Sequence, residues 1–382
     1  MDDAYTAAAA ALPKVVLHEH LDGSLRVGTL LELLDARGIE HPARDDAGLA
    51  AWLDANAAAR SLERFLEGFA LTVAAMATPE ALARVAEEVA EDALAQGAVL
   101  AEFRIAPLLF EPFGIGGDEA MEALLAGLAR CRGLRSGLIV CAMRHLPPAE
   151  TLRAARLALH HAGRSPAGAG GPCVVGFDLA GAERGHPPAE HAEALALVQR
   201  AGLPMTLHAG EADAAERVVQ AARLGARRIG HGVRLADALD GAVADPVRRR
   251  LVDEVIERGV HLEICPTSNV QTGAAASIAA HPVTALWRAG VSVSVHTDNT
   301  LMSRTTMSAE QAALLRQTPL RAADLLAMTR QAALATFLGA SAREHALARI
   351  DAAAAALAAP AAGDERPAAP GAGASVAPGA RP

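Results

Sequence analysis

The chain has little cysteine, no excess of positive charge and no long apolar run, and each shortage excludes a class of protein. Its cysteines form no C-x-x-C pair, which excludes a cysteine zinc site and a disulfide framework and favours a reduced interior. The formal net charge of −9 argues against a nucleic-acid partner, which would require a basic surface. The four cysteines are Cys131, Cys141, Cys173 and Cys265.

The sequence also lacks the features of membrane insertion and export. No apolar run approaches the length of a membrane-spanning helix, so no membrane partner is expected. The N-terminus begins Met-Asp-Asp rather than with a basic region, and Lys14 and His18 interrupt the apolar stretch that follows. We therefore expect a cytoplasmic protein, and the sequence indicates no protein partner.

The chain does have a large apolar fraction, arranged in alternating short and long runs. Hydrophobic residues make up 52% of the sequence, and much of this is alanine, which favours helices. An alternation of eight strands with helices predicts an α/β fold whose parallel sheet closes into a (β/α)8 TIM barrel. The predicted strands lie near residues 15–20, 99–104, 137–143, 174–179, 204–208, 228–231, 260–264 and 291–296.

Two segments depart from this regular alternation. Residues 26–96 are too long for a simple connection after strand 1, and their helical patterns, such as the one over residues 78–96, predict an inserted helical segment near the mouth of the barrel. From about residue 352 the sequence becomes rich in Ala, Pro and Gly, which is typical of a disordered, non-catalytic tail. We therefore divide the chain into a barrel over residues 1–351 and a tail over residues 352–382.

A pair of histidines ends the first predicted strand. His18 and His20 are two residues apart, and side chains at i and i+2 of a strand point to the same side. The two imidazoles could therefore bind one metal ion, for which imidazole nitrogen is a good ligand. A His-x-His pair alone is also common in proteins without metal, so the remaining strands decide the interpretation.

Further polar residues follow the ends of other predicted strands. His208 and Glu211 follow strand 5, His231 ends strand 6, and Asp298 follows strand 8. Because the carboxyl ends of parallel barrel strands share one face, these residues should converge there with His18 and His20. Any one of the histidines could instead have a structural role.

This set of residue types predicts metal-assisted hydrolysis. His18, His20, His208 and Asp298 form a plausible zinc set, and zinc bound in this way lowers the pKa of its water and supplies a nucleophile. Glu211, which we place at the start of the next helix, could transfer a proton, and His231 could orient the attacking water.

As a set, six segments resemble those of bacterial adenosine deaminases, in the family's order along the chain. The resemblance covers residues 14 to about 304, and it is specific because these motifs rarely occur together otherwise. The segments are residues 17–23 (LHEHLDG), 176–183 (GFDLAGAE), 207–211 (LHAGE), 229–232 (IGHG), 263–269 (EICPTSN) and 297–299 (TDN).

The resemblance implies an enzyme that converts adenosine, and 2′-deoxyadenosine, to inosine and ammonia in purine salvage. It implies one Zn²⁺ per subunit, held by the four predicted ligands, with His20 also beside the substrate. It implies that Glu211 donates a proton to N1 of the purine while a zinc-activated water, steered by His231 and Asp298, attacks C6. Asp22 matches the family's contact to the ribose 5′-hydroxyl, and Gly181 matches the contact to purine N3.

One position departs from the family's pattern. Many members carry a second aspartate where this chain has Asn299, at the position that contacts purine N7. N7 only accepts a hydrogen bond, and an asparagine amide can donate one at any pH. Two other hypotheses stay open: a deaminase of a related 6-aminopurine nucleoside with a larger 5′ group, such as aminodeoxyfutalosine, and a catalytically inactive binding protein on the same barrel. Asp22 argues against the first, because a residue that contacts a free 5′-hydroxyl should exclude bulk there.

Several other residues receive a structural interpretation. Strand alternation turns His296 away from its neighbours, which favours a structural role for it. Glu183 could support the substrate loop or cap a helix. The sequence His261-Leu-Glu263 matches half of another deaminase motif, but the cysteines that would complete it are absent. We expect the remaining conspicuous histidines to lie on the surface, and these are His160, His161, His186, His191 and His281.

Overall fold

A computed structural model of the chain describes residues 2–58, 62–168, 170–239 and 246–358. All eight predicted strands are present among them. β1 is shorter than predicted, because regular pairing ends before the two histidines of the first motif. The strands are β1 (Lys14–Val16), β2 (Ala98–Ile105), β3 (Ser136–Met143), β4 (Val174–Ala180), β5 (Thr206–Ala209), β6 (Arg228–His231), β7 (His261–Ile264) and β8 (Ser292–Val295).

The strands form a closed barrel. β1 to β4 pair in parallel and in chain order, and so do β5 to β8. The backbone N–H of Phe177 donates to the carbonyl of Pro204 at 3.0 Å, which joins β4 to β5. Glu19 pairs with Asp298, which joins the residues after β1 to those after β8. These contacts confirm the predicted (β/α)8 TIM barrel.

One helix precedes β1, and the others lie between the strands and after the last one. They are α1 (Asp2–Ala11), α2 (Val27–Arg37), α3 (Asp46–Ala57), α4 (Leu62–Met76), α5 (Pro79–Ala95), α6 (Gly117–Arg130), α7 (Pro148–His161), α8 (Ala192–Arg200), α9 (Ala215–Arg223), α10 (Pro246–Glu257), α11 (Pro266–Gln271), α12 (Val283–Arg288), α13 (Met307–Gln317), α14 (Ala322–Ala335) and α15 (Ala340–Ala358). Short 3₁₀ helices cover Leu21–Gly23, Pro107–Phe113, Pro188–His191 and Val233–Ala238.

Because alanine and glycine side chains are small, the helices can pack closely and still form a core. Helix α5 places an apolar face against α6, and a Cβ added at Gly127 would collide with the backbone of Ala83. This close approach of two backbones requires glycine at that position. β2 and β4 are buried along their whole length, as expected for a sheet covered on both sides.

Over its described residues, the long segment between β1 and β2 contains the α-helices α2 to α5, in agreement with the helical insertion predicted there. The hydroxyl of Thr78 accepts from the backbone N–H of Ala81 and caps α5, and Pro79 follows as its first residue, where proline is favoured. Helix α15 continues through Ala358, past residue 352, where the tail was predicted to begin. The predicted tail beyond Ala358 lies outside the described residues.

Taking the described ranges together, no single helix is long and apolar enough to cross a membrane. Residues 68–76 of α4 reach the required length and apolarity only in combination with α5, and the two helices meet at a bend of 114°.

Candidate active site

A cavity of about 550 Å³ opens at the carboxyl ends of the strands. Eight of the residues singled out in the sequence line it, although they lie almost three hundred positions apart. His18 lies beside this group and is fully buried. The eight residues are His20, Asp22, Gly181, His208, Glu211, His231, Asp298 and Asn299.

The structure brings the four predicted metal ligands together. One nitrogen or oxygen atom of each of His18, His20, His208 and Asp298 lies within 4.8 Å of the others. His18 Nε2 is 3.2 Å from Asp298 Oδ1, and His20 Nε2 is 3.3 Å from His208 Nε2. Three imidazole nitrogens and one carboxylate oxygen therefore face one point.

The opposite ring nitrogens of two of these histidines bind buried carboxylates. His18 Nδ1 is 2.9 Å from Glu263 Oε2, and His208 Nδ1 is 3.1 Å from Asp178 Oδ1. This fixes the ring orientation and leaves Nε2 free to bind a metal, as is usual for metal-bound histidine. His18 Nε2 is buried and has no hydrogen-bond partner, which is costly unless something binds there. The donor set fits Zn²⁺, for which three protein nitrogens and one oxygen are suitable ligands.

The protonation states also suit a cation. Burial lowers the pKa of His18 to about 4, so its imidazole is neutral at pH 7. Burial alone would raise the pKa of Asp298, but the adjacent imidazoles of His18, His231 and His20 bring that pKa well below its usual range. Neutral imidazoles and an ionised carboxylate are the forms that bind metal.

Glu211 faces the centre of the cavity beside His231. Its Oε1 accepts a hydrogen bond from Thr272 Oγ1 at 2.8 Å, and its Oε2 is 3.5 Å from His231 Nε2. Burial raises the pKa of Glu211 above its usual value, so the carboxyl can hold a proton. His231 Nδ1 lies 3.0 Å from Asn269 Nδ2, and this contact orients the imidazole from the ring nitrogen that does not face Glu211.

Glu211 lies in a loop before α9, and the prediction that it starts the helix is wrong. Glu183 shapes this loop: its carboxylate accepts hydrogen bonds from the backbone N–H groups of Gly210, Glu211, Ala212 and Asp213 at 2.5–3.0 Å. The four N–H groups converge on one side chain because the chain turns tightly at Gly210, whose φ is +71°. The sequence analysis predicted that Glu183 supports the substrate loop or caps a helix, and the structure shows it bonded to the loop of residues 210–213, which that prediction did not name.

Three predicted substrate contacts also line the cavity. Asp22 Oδ1 and Asn299 Oδ1 are buried without a hydrogen-bond partner, so both are available to a ligand. Burial raises the pKa of Asp22 to about 7. Gly181 has a φ of +92°, and a side chain there would lie 2.9 Å from His145 Nδ1, so glycine keeps the backbone accessible.

The sequence analysis did not identify the apolar wall of the cavity. Phe69 and Val73 on α4 contribute to it, together with Leu109, Met143 and His145. None of these belongs to a polar motif at a strand end, and the insertion could be predicted only as helical. The packing of α4 at the cavity adds Phe69 and Val73 to the site, and the other three residues come from the end of β3 and from the segments that follow β2 and β3.

A second group that the sequence analysis did not assign is the buried charge beneath the histidines. Arg104, Asp178, Glu263 and Arg228 are all fully buried. A sequence signal existed, because a charged residue inside a strand that is otherwise apolar must have a buried partner. Their pairing across distant strands could not be inferred without the register of the barrel.

Several histidine predictions need correction. His161, His191 and His281 are buried rather than exposed, because each bonds a partner on another segment: Asp118, Thr151 and Asn269, respectively. His296 lies outside the ligand cluster and bonds the Leu17 backbone N–H and Ser294, consistent with the structural role predicted for it. His261 bonds Ser292 and Ser294, and it does not face the cavity.

Comparison with known proteins identifies the family. The family model described as adenosine deaminase matches residues 13–353. Adenosine deaminase of Mycobacteroides abscessus is 42% identical over 337 residues, which cover 85% of this chain and 90% of that protein. The enzyme of Mycobacterium tuberculosis is 41% identical over the same shares of the two chains.

Solved structures agree in fold. Arabidopsis ADAL in complex with IMP is 25% identical, with a TM-score of 0.76 over 91% of this chain and 98% of that one. An adenine deaminase from Arthrobacter aurescens has a TM-score of 0.77 at 23% identity, covering 89% of this chain and 98% of that one. The chain therefore belongs to the adenosine deaminase family.

Proposed function

We propose that this protein catalyses the zinc-dependent hydrolytic deamination of adenosine, and of 2′-deoxyadenosine, to inosine and ammonia in purine salvage. The observation that carries the proposal is that the four ligand side chains cluster at one point, and that three of them, His20, His208 and Asp298, border the same cavity as Glu211 and Asp22. Membership of the family and the identity to adenosine deaminases over most of the chain support it.

His18, His20, His208 and Asp298 would hold one zinc ion per chain. When bound there, zinc lowers the pKa of a water molecule towards neutrality and supplies a nucleophile. The chain's own contribution is orientation: Glu263 and Asp178 fix two of the imidazoles, and Ser268 Oγ donates to Asp298 Oδ2 at 2.6 Å.

Glu211 supplies the proton that the purine needs. With a raised pKa it enters the reaction protonated, donates to N1 and thereby makes C6 electrophilic. His231 and Asp298 lie on the side of the metal site and orient the water towards C6. The water oxygen bonds to C6 and remains there in inosine. One proton of the water passes to the amino group, which leaves C6 as ammonia, and the other replaces the proton that Glu211 gave to N1.

Other residues that line the cavity would select the nucleoside. The backbone N–H of Gly181 would donate to N3 and the Asn299 amide to N7, since both ring nitrogens are acceptors. His20 would lie against the substrate as well as the metal, and Asp22 would accept from the ribose 5′-hydroxyl. Within the described chain no lysine or arginine lines the cavity, which argues against a 5′-phosphate such as that of the IMP bound by Arabidopsis ADAL.

The direct test is an ultraviolet assay of adenosine conversion with metal analysis. We expect about one zinc per chain, loss of turnover with a chelator and its return with zinc. Glu211→Gln should lower kcat by about 10²–10⁴-fold, because general acid catalysis contributes that much. Failure of the zinc-loaded protein to produce inosine, or full activity of Glu211→Gln, would contradict the proposal.

Substrate preference separates the related hypotheses. Adenosine should be converted much faster than AMP or a nucleoside with a bulky 5′ substituent, because Asp22 is buried against the expected 5′ position. Asp22→Ala should reduce this preference by raising KM for adenosine. Preferred turnover of the 5′-substituted nucleoside would support the aminodeoxyfutalosine type, and bound zinc without turnover of any 6-aminopurine would support a binding protein.

A further inference from the structure

A chain of buried charges runs through the barrel interior directly beneath the metal site. Its five side chains alternate in sign and each is fully buried. Successive members are in contact: the four closest N–O distances, from one end to the other, are 2.6, 2.6, 2.6 and 2.8 Å. In order, the members are Glu102, Arg228, Glu263, Arg104 and Asp178.

Arg104 has a special position in this chain because it contacts both carboxylates that orient ligand histidines. Its Nη1 donates to Asp178 Oδ2 at 2.8 Å, and its Nη2 donates to Glu263 Oε2 at 2.6 Å. The same Glu263 oxygen binds His18 Nδ1, and Asp178 binds His208 Nδ1. Arg104 Nη2 also donates to the carbonyl of Leu17, the residue before His18.

We propose that Arg104 is a positioning residue that couples two zinc ligands, His18 and His208, through the carboxylates of Glu263 and Asp178. The inference deepens the proposed function and rests on its zinc site. The hydrogen bonds of the Arg104 guanidinium go to these two carboxylates and to the Leu17 carbonyl rather than to a ligand side chain, and the Arg104 backbone N–H, which a substitution retains, donates to the Glu19 carbonyl at 2.9 Å.

The geometry explains why arginine serves here. Two buried carboxylates facing neighbouring histidines would repel one another and lose solvation without a cation between them. A planar guanidinium has donors in a fixed fork, so one side chain can hold two carboxylates and a carbonyl at once. A lysine carries the same charge on a single nitrogen, so it cannot keep all three acceptors in place.

The first experiment compares zinc binding by the full-length wild-type chain, Arg104→Lys and a matched control. Loss of an outer-shell partner of a metal site lowers metal affinity by about 10–100-fold, and we expect that loss in Arg104→Lys. The measurement is the zinc dissociation constant and release rate by competition with a chromogenic chelator. Nitrogen-15 spectra of labelled histidine should also show that the Nδ1–H tautomers of His18 and His208 are no longer fixed.

Glu102→Gln is the matched control. It removes a carboxylate from the other end of the same buried chain, where Glu102 Oε2 is 2.6 Å from Arg228 Nη1, but Glu102 contacts no carboxylate that orients a ligand histidine. Thermal unfolding measures how far each variant is destabilised. Zinc affinity should stay close to wild type in Glu102→Gln, and an equal loss in both variants would overturn the inference, since it would indicate general loosening of the barrel.

A second measurement decides the case even if Arg104→Lys does not fold. Asp178→Asn and Glu263→Gln are nearly isosteric, and each should weaken zinc binding. If one guanidinium couples the two carboxylates, the double variant should lose less affinity than the product of the single losses. Independent, multiplicative losses would overturn the shared role of Arg104. A wild-type chain that binds no zinc would instead contradict the metal site of the proposed function.

Discussion

Gly230 on β6 is the residue whose size most directly limits the metal site. A Cβ built on it would lie 2.8 Å from Cε1 of His18 and 3.2 Å from Nδ1 of His208. The two imidazoles can approach one another only because this strand position has no side chain.

We expect Gly230→Ala to lower zinc affinity by about tenfold or more, because overpacking a close-packed site costs about 1–3 kcal/mol and the rings must move apart. Chelator competition measures the change. Gly339→Ala is the control, because a Cβ there meets nothing within 4 Å. Unchanged zinc affinity in Gly230→Ala would show that the rings can shift without cost.

At this scale the sequence predicted which side chains converge at the cavity, and it did not predict the residues that support them. His208, Glu211 and Asp298 could be identified because they follow strand ends, where a parallel barrel builds its site. Asp178 and Glu263 lie in strands, and only the register across β4, β5 and β7 shows which histidine each one faces. Asp298 and His231 have φ values of +63° and +64°, which no sequence pattern indicated.

At the scale of elements, the loop between β5 and α9 depends on Glu183. A glutamine has one acceptor oxygen where the carboxylate has two, and its amide N–H₂ would face backbone N–H groups that can only donate. Each buried donor left without a partner costs about 1–3 kcal/mol.

Glu183→Gln should therefore lower kcat about tenfold or more, given that local cost, while zinc remains bound, because the loop positions Glu211 and no proposed metal ligand. Steady-state kinetics with metal analysis tests this. Glu193→Gln, on an exposed position of α8, serves as the control. Loss of zinc together with activity would assign Glu183 a wider structural role.

Helix α13 joins the barrel through a buried carboxyl that titrates. Glu310 accepts from the hydroxyl of Thr305 at 2.7 Å and from the backbone N–H of Thr267 at 3.1 Å, and burial raises its pKa to about 7. The unfolded chain loses this proton at a lower pH than the folded chain. The stabilisation is therefore complete below the unfolded pKa and is lost as pH rises to about 7.

Glu310→Gln removes that dependence, because an amide stays neutral and can exchange hydrogen bonds with the same two groups. We expect the variant to gain stability relative to wild type by roughly 2–3 kcal/mol between pH 4.5 and pH 8, at about 1.4 kcal/mol per pKa unit. Urea unfolding of both proteins at several pH values measures the difference in their free energies of unfolding. A constant difference across that range would contradict the assignment.

The order of elements could be predicted and their ends could not. Eight apolar runs separated by helical patterns sufficed for the barrel, since each strand is short and buried. The early end of β1 had no signal, because the chain stays extended after Val16. Glu19 and His20 then pair only through isolated bridges, to Asp298 and Arg104 respectively. The site has its shape because regular pairing stops there.

At the scale of the whole molecule, α15 is the last element among the described residues, and it ends at Ala358. All residues assigned to the site lie before Thr300, and α15 buries Ala346 and Ile350 against the rest of the protein. A chain ending at Ala358 should therefore keep wild-type kcat/KM and thermal midpoint. A chain ending at Gly339 should be less stable, because it lacks α15, which packs on α14 and β2. Calorimetry and the adenosine assay test both, and lower activity of the longer truncated chain would assign the tail a function.

The junction between β8 and β1 has a consequence for folding. The backbone N–H of His20 donates to the Asp298 carbonyl at 2.8 Å, and the Asp298 N–H donates to the His18 carbonyl at 3.0 Å. The bonds that close the barrel thus belong to the residues whose side chains face the metal position, and they join the two most distant strands in the chain. Such long-range pairing is slow to form because the intervening loop must close first. In a refolding sample, the ability to bind zinc should therefore appear only when the barrel closes. The amount of bound zinc then measures how many molecules have a closed barrel.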